Sequence, residues 1–249
     1  MRPPDERAAS LSLPSSRRRA ERGLVVVKGL RTTRCGRQGH PEFRFNVDTA
    51  IVVEADVNWF LEWLEDTVAR GTRFANGQTC QVGWVVTQIR QGEGGDLSIW
   101  EPDMCHLPVE WSESLSRTLA HLRLQKDVVG SVLPLGELAF PSMRQSAIVC
   151  TRLRGADDLI LERSTPAGAD SGWFCGCRQD NHDHNDPTEL RRVSLYEAAV
   201  KHAPRIVPYL ALPSGVLVEV AGGLPVVFRE GKALNFQPGS YLVAQRSNH

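Results

Sequence analysis

From Ser146 onward the sequence alternates short apolar segments with turns, and this pattern restricts the fold more than any other feature of the chain. Segments this short, rich in β-branched and aromatic residues, predict strands. Residues 188–193 are predicted to be a helical or irregular connection to a helix, which begins with a capping box of Ser194 and Glu197 and stops at Pro204. Strands on both sides of a helix predict an α+β fold rather than a doubly wound parallel sheet. The strand segments are SAIVCTRL, DLILERS, DSGWFCGC, GVLVEV, LPVVF and GSYLVA.

A second group of elements precedes this region. Phe43 to Val53 is predicted to be a strand, and the helix after it ends at Gly71. Thr79 to Arg90 is predicted to be one long strand that returns through a GEGG turn, and Ser112 is predicted to cap a second helix. The segment LPLGELAFPSM contains two prolines and a glycine, so it is the predicted boundary between two domains. The apolar face of the first helix consists of Val57, Phe60, Leu61, Leu64 and Val68.

The N-terminal segment differs from the rest of the chain in charge. Residues 1–45 carry a net charge of +7 and the remainder carries −7, although the whole chain is neutral. An Arg-rich arm could bind nucleic acid, but the run Arg17–Arg19 has no interleaved aromatic residues on which bases would stack, so this function is not expected. The sequence thus predicts a flexible leader over residues 1–42. Two small α+β domains with antiparallel sheets are predicted to follow it, over residues 43–143 and 144–249.

The composition excludes several classes of protein. A chain of 249 residues with 41% hydrophobic content can bury a sizeable core without disulfides or a structural metal. No run approaches the ~20 apolar residues of a membrane helix, so a membrane protein is not expected. The six cysteines are scattered and the first residues have no apolar signal segment. These features predict a cytoplasmic protein with reduced thiols.

Asp170 to Asp186, with the sequence DSGWFCGCRQDNHDHND, is the chemically richest stretch. Its two cysteines and two histidines could give two thiolates and two imidazoles to a zinc ion. The C-x-C and H-x-H spacings are tighter than those of most zinc sites. We therefore expect no tightly bound zinc and no other cofactor. The four residues concerned are Cys175, Cys177, His182 and His184.

Two catalytic interpretations of this stretch are weaker. The set His182, His184 and Asp186 resembles the H-x-H-x-D-H motif of metallo-β-lactamase-type hydrolases, but Pro187 replaces the last histidine. A His-Asn-His nuclease would need a further His–Asn pair at the right separation. The sequence also contains no nucleophile elbow, phosphate-binding loop or H-E-x-x-H helix. A metal-dependent hydrolase using these three residues is the alternative function, and a protein without catalytic activity is the leading one.

Local turn chemistry explains most of the same polar residues. Asp186 before Pro187, with Glu189 in the third position, is typical of a helix start. Asp183 and Asn185 suit a tight turn in which a side chain accepts a backbone hydrogen bond. Such a loop loses little conformational entropy when it docks, so it is a good surface for binding a partner.

Over about residues 145–220 the sequence contains five features in a fixed order. They are a strand AIVC, the DSGW motif, an acidic turn, S-L-Y before a helix, and a proline-interrupted I-x-P-Y-L. This order resembles family thirty-three of the immunity proteins of bacterial polymorphic toxin systems. Asp170, Ser171, Gly172 and Trp173 match the family's central motif, and Tyr209 and Leu210 match its later one. No catalytic residues are established for the family.

The resemblance implies a cytoplasmic protein that binds a toxin encoded beside it and neutralises that toxin by stoichiometric binding. Many such toxins are nucleases, often delivered between bacteria by contact-dependent secretion such as the type VI system, and an acidic inhibitor complements a basic active site. Neither a membrane nor nucleic acid is an expected partner. Trp173 is a candidate aromatic anchor if it is exposed. The expected contact surface comprises Asp170, Ser171, Trp173, Asp180, His182, Asp183, His184 and Asp186.

Overall fold

The computed structural model describes residues 27–179 and 183–247. The helices are α1 (Glu54–Ala69), α2 (Ser116–Val132), α3 (Leu195–Glu197), which continues as a wider helical turn over Ala198–His202, and α4 (Tyr241–Ser247). The strands are β1 (Val27–Arg31), β2 (Phe43–Asp48), β3 (Thr79–Val82), β4 (Val85–Gln91), β5 (Leu97–Pro102), β6 (Trp111–Ser112), β7 (Ser146–Cys150), β8 (Leu159–Arg163), β9 (Asp170–Cys177), β10 (Leu190–Ser194), β11 (Val216–Ala221), β12 (Leu224–Arg229) and β13 (Lys232–Ala233). Helices beside two sheets confirm the predicted α+β class.

The first sheet has the strand order β1-β2-β5-β4-β3, with β6 paired to the end of β5. Alternate residues of β2, such as Phe43 and Phe45, are buried under α1, as the period of a strand requires. Helix α1 presents Phe60 and Leu64 to them from the face that its apolar spacing predicts. Strands β2 and β5 run parallel, so this sheet is mixed and the prediction of an antiparallel sheet is wrong.

The first residues that the structure describes, Val27–Arg31, already form a strand, and Cys35–Gln38 form a helical turn, so the prediction that residues 27–42 belong to a flexible leader is wrong. Strand β1 pairs antiparallel with β2 along its whole length. The carboxylate of Glu65 on α1 accepts hydrogen bonds from the backbone N–H groups of Thr33 (2.7 Å) and Arg34 (3.0 Å). The segment has no apolar period, but polar contacts hold it to the sheet and to α1. The more N-terminal part of the predicted leader lies outside the described residues.

The segment predicted as one strand over Thr79–Arg90 is instead the hairpin of β3 and β4. Gly83 has a φ of +60° in the two-residue turn between them, a conformation that suits glycine. Trp84 follows it and is fully buried in the second core, where its carbonyl accepts a hydrogen bond from Met143 N–H (2.7 Å). Because the turn contains a buried tryptophan, the sequence keeps the apolar pattern of one continuous strand, and the turn was therefore not predicted.

Three other segments adopt a structure different from the one predicted for them. GSYLVA forms α4 rather than a strand, and the Leu242 N–H donates to Ser131 Oγ of α2 (3.2 Å). Residues 190–194 form β10 rather than an irregular connection, because β7 supplies their backbone partners. Helix α2 begins at Ser116 and not after Ser112. The predicted Ser194 cap is confirmed by its hydrogen bond from Glu197 N–H (3.0 Å).

The second sheet has the order β10-β7-β9-β8-β11-β12-β13. Strands β7 and β9 are parallel and the other pairs are antiparallel, so this sheet is also mixed. The parallel pair places Cys150, at the end of β7, beside the end of β9 at Cys177. The segments that follow these two strands therefore leave the sheet at the same edge.

Helix α2 contributes to both hydrophobic cores. Its first half buries Leu119 and Leu122 against the first sheet and α1. Its second half buries Val128 and Val129 with the second sheet and α3. The predicted division into two domains stays a prediction, since the helix contributes to both clusters. Among the described residues, no helix combines the length and the apolar character needed to cross a membrane.

Candidate functional site

The DSGW motif begins β9 with an irregularity in its pairing to β7. The register between the two strands shifts between Ser146 and Ile148. Gly172 has a φ of +77°, and a Cβ atom at this position would lie 2.2 Å from the carbonyl oxygen of Ser164. The Asp170 carboxylate accepts a hydrogen bond from the Gly172 N–H (2.9 Å). Asp170 and Gly172 therefore shape the backbone of the strand.

Ser171 and Trp173 point into the core. The Ser171 hydroxyl donates to the carbonyl of Ser146 (2.7 Å) and accepts the Trp173 N–H (3.3 Å). Trp173 is 1% exposed, and its indole N–H donates to the carbonyl of Leu210 (3.2 Å). The prediction that Ser171 and Trp173 contact a partner is therefore corrected, because both side chains are occupied inside the fold.

Arg163 completes the buried environment of this tryptophan. Its guanidinium carbon lies 5.5 Å from the centre of the Trp173 ring, and the side chain is 3% exposed. The Nη1 group donates to the carbonyls of Ala139, Leu210 and Leu212. Burial lowers the pKa of Arg163 to about 10, so the group stays charged at neutral pH. The arginine thus fastens the end of the PYL motif and the segment around Ala139 to β8.

Asp183 and Asp186 lie exposed in the turn that leads from β9 to β10. The Asp183 carboxylate accepts the Asn185 N–H (2.8 Å), which confirms the predicted turn. The Asp186 carboxylate accepts the N–H (2.9 Å) and the hydroxyl (2.8 Å) of Thr188, and these bonds lower the pKa of Asp186. The one-turn helix that Asp186 caps confirms the predicted helix start. Each carboxylate is fixed by its own turn and still faces solvent.

Two segments after the parallel strands form a common surface, which we call the carboxyl-end face: residues 151–158 and 183–189. The backbone joins them, because Thr151 N–H donates to the carbonyl of Glu189 (2.8 Å). Five carboxylates and two arginines give the face a net charge of −3 with its histidine neutral. Asp157 and both arginines of the face are exposed, as are Asp183 and Asp186. The face is therefore acidic and accessible, as the sequence predicts for the body of the chain.

Cys150, Cys177 and His184 meet under this face. One potential metal-ligand atom from each residue lies within 4.8 Å of the other two. The Cys150 Sγ accepts the Cys177 N–H (3.4 Å), and burial raises the pKa of the Cys150 thiol. Asp186 is not a member of the group, so His184 meets two thiols rather than the carboxylate of the predicted hydrolase set. Cys175 is not in the group either, and burial raises the pKa of its thiol to about 12.

A basic cleft of about 580 Å³ adjoins the carboxyl-end face and shares Thr151 and Arg154 with it. Arg154, Arg191 and Lys201 line it around His202, whose side chain is mostly buried. Burial lowers the pKa of His202, and Lys201 and the two arginines lower it further, against the opposing effect of Glu197. Within the described residues, neither arginine has a carboxylate within 4.0 Å. The cleft therefore supplies uncompensated positive charge beside the acidic face.

The structure separates the predicted contact residues into groups. Asp183 and Asp186 are exposed, and His184 lies half-buried beneath them. Asp170 is half-buried and pairs with Arg192 (3.2 Å) at the opposite end of β9. Asp180 and His182 lie outside the described residues. The basic cleft and Cys150 were missed, because they are assembled by the pairing of β10 and β9 with β7, which no local pattern reveals.

Residues 125–229 match a family model described as the Imm33-like domain, which confirms the resemblance to the immunity-protein family for this part of the chain. The match begins inside α2 and ends with β12. The match thus includes the half of α2 that packs into the second core. This half of the helix precedes the motifs on which the resemblance is based in the sequence. No curated protein and no solved structure matches the chain.

Proposed function

We propose that this protein is an immunity protein that binds a toxin stoichiometrically and neutralises it without catalytic turnover. The observation that carries the proposal is the match of residues 125–229 to the Imm33-like domain. A domain of this family implies a toxin as partner. We further propose that the protein acts in the cytoplasm on a toxin encoded beside it.

The carboxyl-end face is the proposed contact surface. Asp183 and Asp186 are exposed, and hydrogen bonds within their own turns already hold them in place. A surface held in this way loses little conformational entropy when it binds. The half-buried Asp170 lies at the other end of β9, so it is not part of the revised surface.

Charge supports a basic toxin surface as the partner of this face. The net charge of −3 would speed the encounter with a cationic site, such as that of a nuclease, which binds a polyanion. The adjacent basic cleft, with Arg154 and Arg191, would favour a toxin that also presents a carboxylate beside its basic site. We therefore propose a nuclease toxin, and the family resemblance further implies its delivery by a contact-dependent system such as type VI secretion.

The experiment is co-expression with the product of the neighbouring reading frame, followed by calorimetry with the purified pair. We expect protection of the cell and a 1:1 complex. Death of cells that make this protein, together with no binding at micromolar concentrations, would contradict the immunity function.

Charge-removing variants test the surface separately from the function. Asp183→Asn and Asp186→Asn keep an acceptor oxygen for the turn and remove the negative charge. We expect slower association and a weaker dependence on salt, with a change in affinity of up to about tenfold. The control is Glu62→Gln, an exposed carboxylate on α1, which should bind like the wild type. If both aspartate variants bind like this control, the toxin contacts another surface while the immunity function stands.

A further inference from the structure

Cys150 and Cys177 lie side by side because β7 and β9 are parallel and end at these residues. Both thiols are at most 1% exposed. The Cys177 N–H donates to the Cys150 Sγ (3.4 Å), an interaction that favours the thiolate form of the acceptor. Two sulfur donors therefore occupy one buried edge of the sheet.

His184 belongs to the segment after β9 and lies beside these thiols. Its ring packs edge-on against Phe174, with ring centres 5.3 Å apart. A Cβ atom on Gly176 would lie 2.9 Å from the Phe174 ring and 3.0 Å from the Cε1 atom of His184, so the missing side chain of this glycine makes room for both rings. The C-G-C sequence thus combines a sulfur donor with the space that the nitrogen donor needs.

We propose that Cys150, Cys177 and His184 bind a zinc ion. Two sulfurs and one imidazole nitrogen within 4.8 Å of one another match the donor types and the compactness of a tetrahedral zinc site. Magnesium and calcium prefer oxygen donors, so they are poor candidates. The sequence-based expectation of no zinc concerned a set with Cys175 and His182, whereas the folded chain brings Cys150 into the group.

Charge balance supports a buried zinc. Binding of Zn²⁺ releases two protons from the thiols, and the two thiolates then neutralise the two positive charges of the metal. A neutral centre is compatible with the apolar surroundings of these strand ends, whereas a lone thiolate there is unfavourable. The three protein donors would leave one tetrahedral position for a further ligand such as water.

The zinc would fasten the segment after β9 to the sheet. His184 lies between Asp183 and Asn185, so the metal would hold the acidic turn directly over the ends of β7 and β9. This role is separate from toxin binding, so it can be tested in the absence of a toxin.

The test is the metal content of the full chain, expressed with zinc in the medium and purified without chelator, measured by mass spectrometry of the metal. We expect about one zinc per chain in the wild type and less than about a tenth of that in Cys150→Ser and His184→Ala. Substitution with Co²⁺ should give the absorption of a tetrahedral thiolate complex in the wild type and not in these two variants.

Cys175→Ala is the matched control. Its thiol is as buried as that of Cys177 on the same strand, β9, but lies outside the group. It should retain the zinc. Circular dichroism checks folding, and His184→Ala decides the outcome if Cys150→Ser does not fold, since His184 is only half-buried. A wild type without zinc, a disulfide between Cys150 and Cys177 in place of the metal, or equal loss in the Cys175 control would overturn the proposal.

Discussion

The indole N–H of Trp173 donates a hydrogen bond of 3.2 Å to the carbonyl of Leu210. The two residues belong to the DSGW and PYL segments, which are far apart in the sequence and carry the family resemblance. This hydrogen bond joins the two segments inside the core, where Arg163 donates to the same carbonyl. The DSGW motif, which carries the resemblance, therefore maintains the fold, and the toxin contact that we propose lies on the exposed turn after β9.

Trp173→Phe should destabilise the protein while leaving the proposed contact face unchanged. The variant loses the hydrogen bond to Leu210 and leaves a small cavity, so we expect the free energy of unfolding to fall by about 2 kcal/mol. Urea denaturation measures this change. The control is Trp59→Phe, because Trp59 is 39% exposed, and its effect should stay within about 0.5 kcal/mol. Equal losses in the two variants would contradict the assigned role of Trp173.

Gly172→Ala should be far more damaging than Gly168→Ala. Both glycines have positive φ, +77° and +56°, so alanine at either site costs about 1 kcal/mol through backbone strain. At Gly172 the added Cβ would also lie 2.2 Å from the Ser164 carbonyl oxygen, a backbone atom, whereas nothing lies within 4 Å at Gly168. We expect a loss of about 3 kcal/mol or more for Gly172→Ala. Thermal unfolding of both variants tests the difference, and similar melting temperatures would contradict it.

Local patterns in the sequence predict the elements whose contacts are local. The apolar spacing of α1, the Ser194 cap and the Asp183 turn depend on residues a few positions apart, and all three are confirmed. The hairpin at Gly83 was missed because the buried Trp84 continues the apolar pattern of a strand. Helix α4 was missed because its burial depends on α2, which is distant in the sequence.

The candidate site was predictable only in part for the same reason. The acidic turn can be recognised from its aspartates, asparagine and proline. The group of Cys150, Cys177 and His184 requires knowledge that β7 and β9 are parallel neighbours. Cys150 precedes Cys177 by a whole hairpin, so spacing along the chain gives no indication of their proximity.

Removal of residues 27–42 should weaken the first core. A chain of residues 43–249 lacks β1, which leaves the edge of β2 unpaired and the buried carboxylate of Glu65 without its backbone donors. Loss of the hydrogen bonds to this charged carboxylate alone costs about 2 kcal/mol. We expect a lower melting temperature than for the matched control of residues 27–249, measured by calorimetry. Equal melting temperatures would restore the prediction that the leader extends to residue 42.

Asp96 should make the stability of the first sheet depend on pH. Its carboxylate accepts hydrogen bonds from Arg31 on β1 (2.7 and 2.9 Å) and from Arg44 on β2 (2.5 Å), and the bond with Arg31 is the main cause that lowers the pKa of Asp96 to about 2. A carboxyl group whose pKa is lower in the folded state stabilises the protein above its ordinary pKa. That stabilisation is lost as the pH falls towards the folded-state pKa.

The difference in the free energy of unfolding between wild type and Asp96→Asn isolates this contribution from the other carboxylates. Both arginines are about half exposed, so we expect a difference of only about 1 kcal/mol at about pH 5, and it should shrink between about pH 4 and pH 2. Glu62→Gln, which removes an exposed carboxylate with no ion pair among the described residues, serves as the control and should show no such change. A difference that stays constant down to about pH 2 would mean that Asp96 does not link β1 and β2 through its charge.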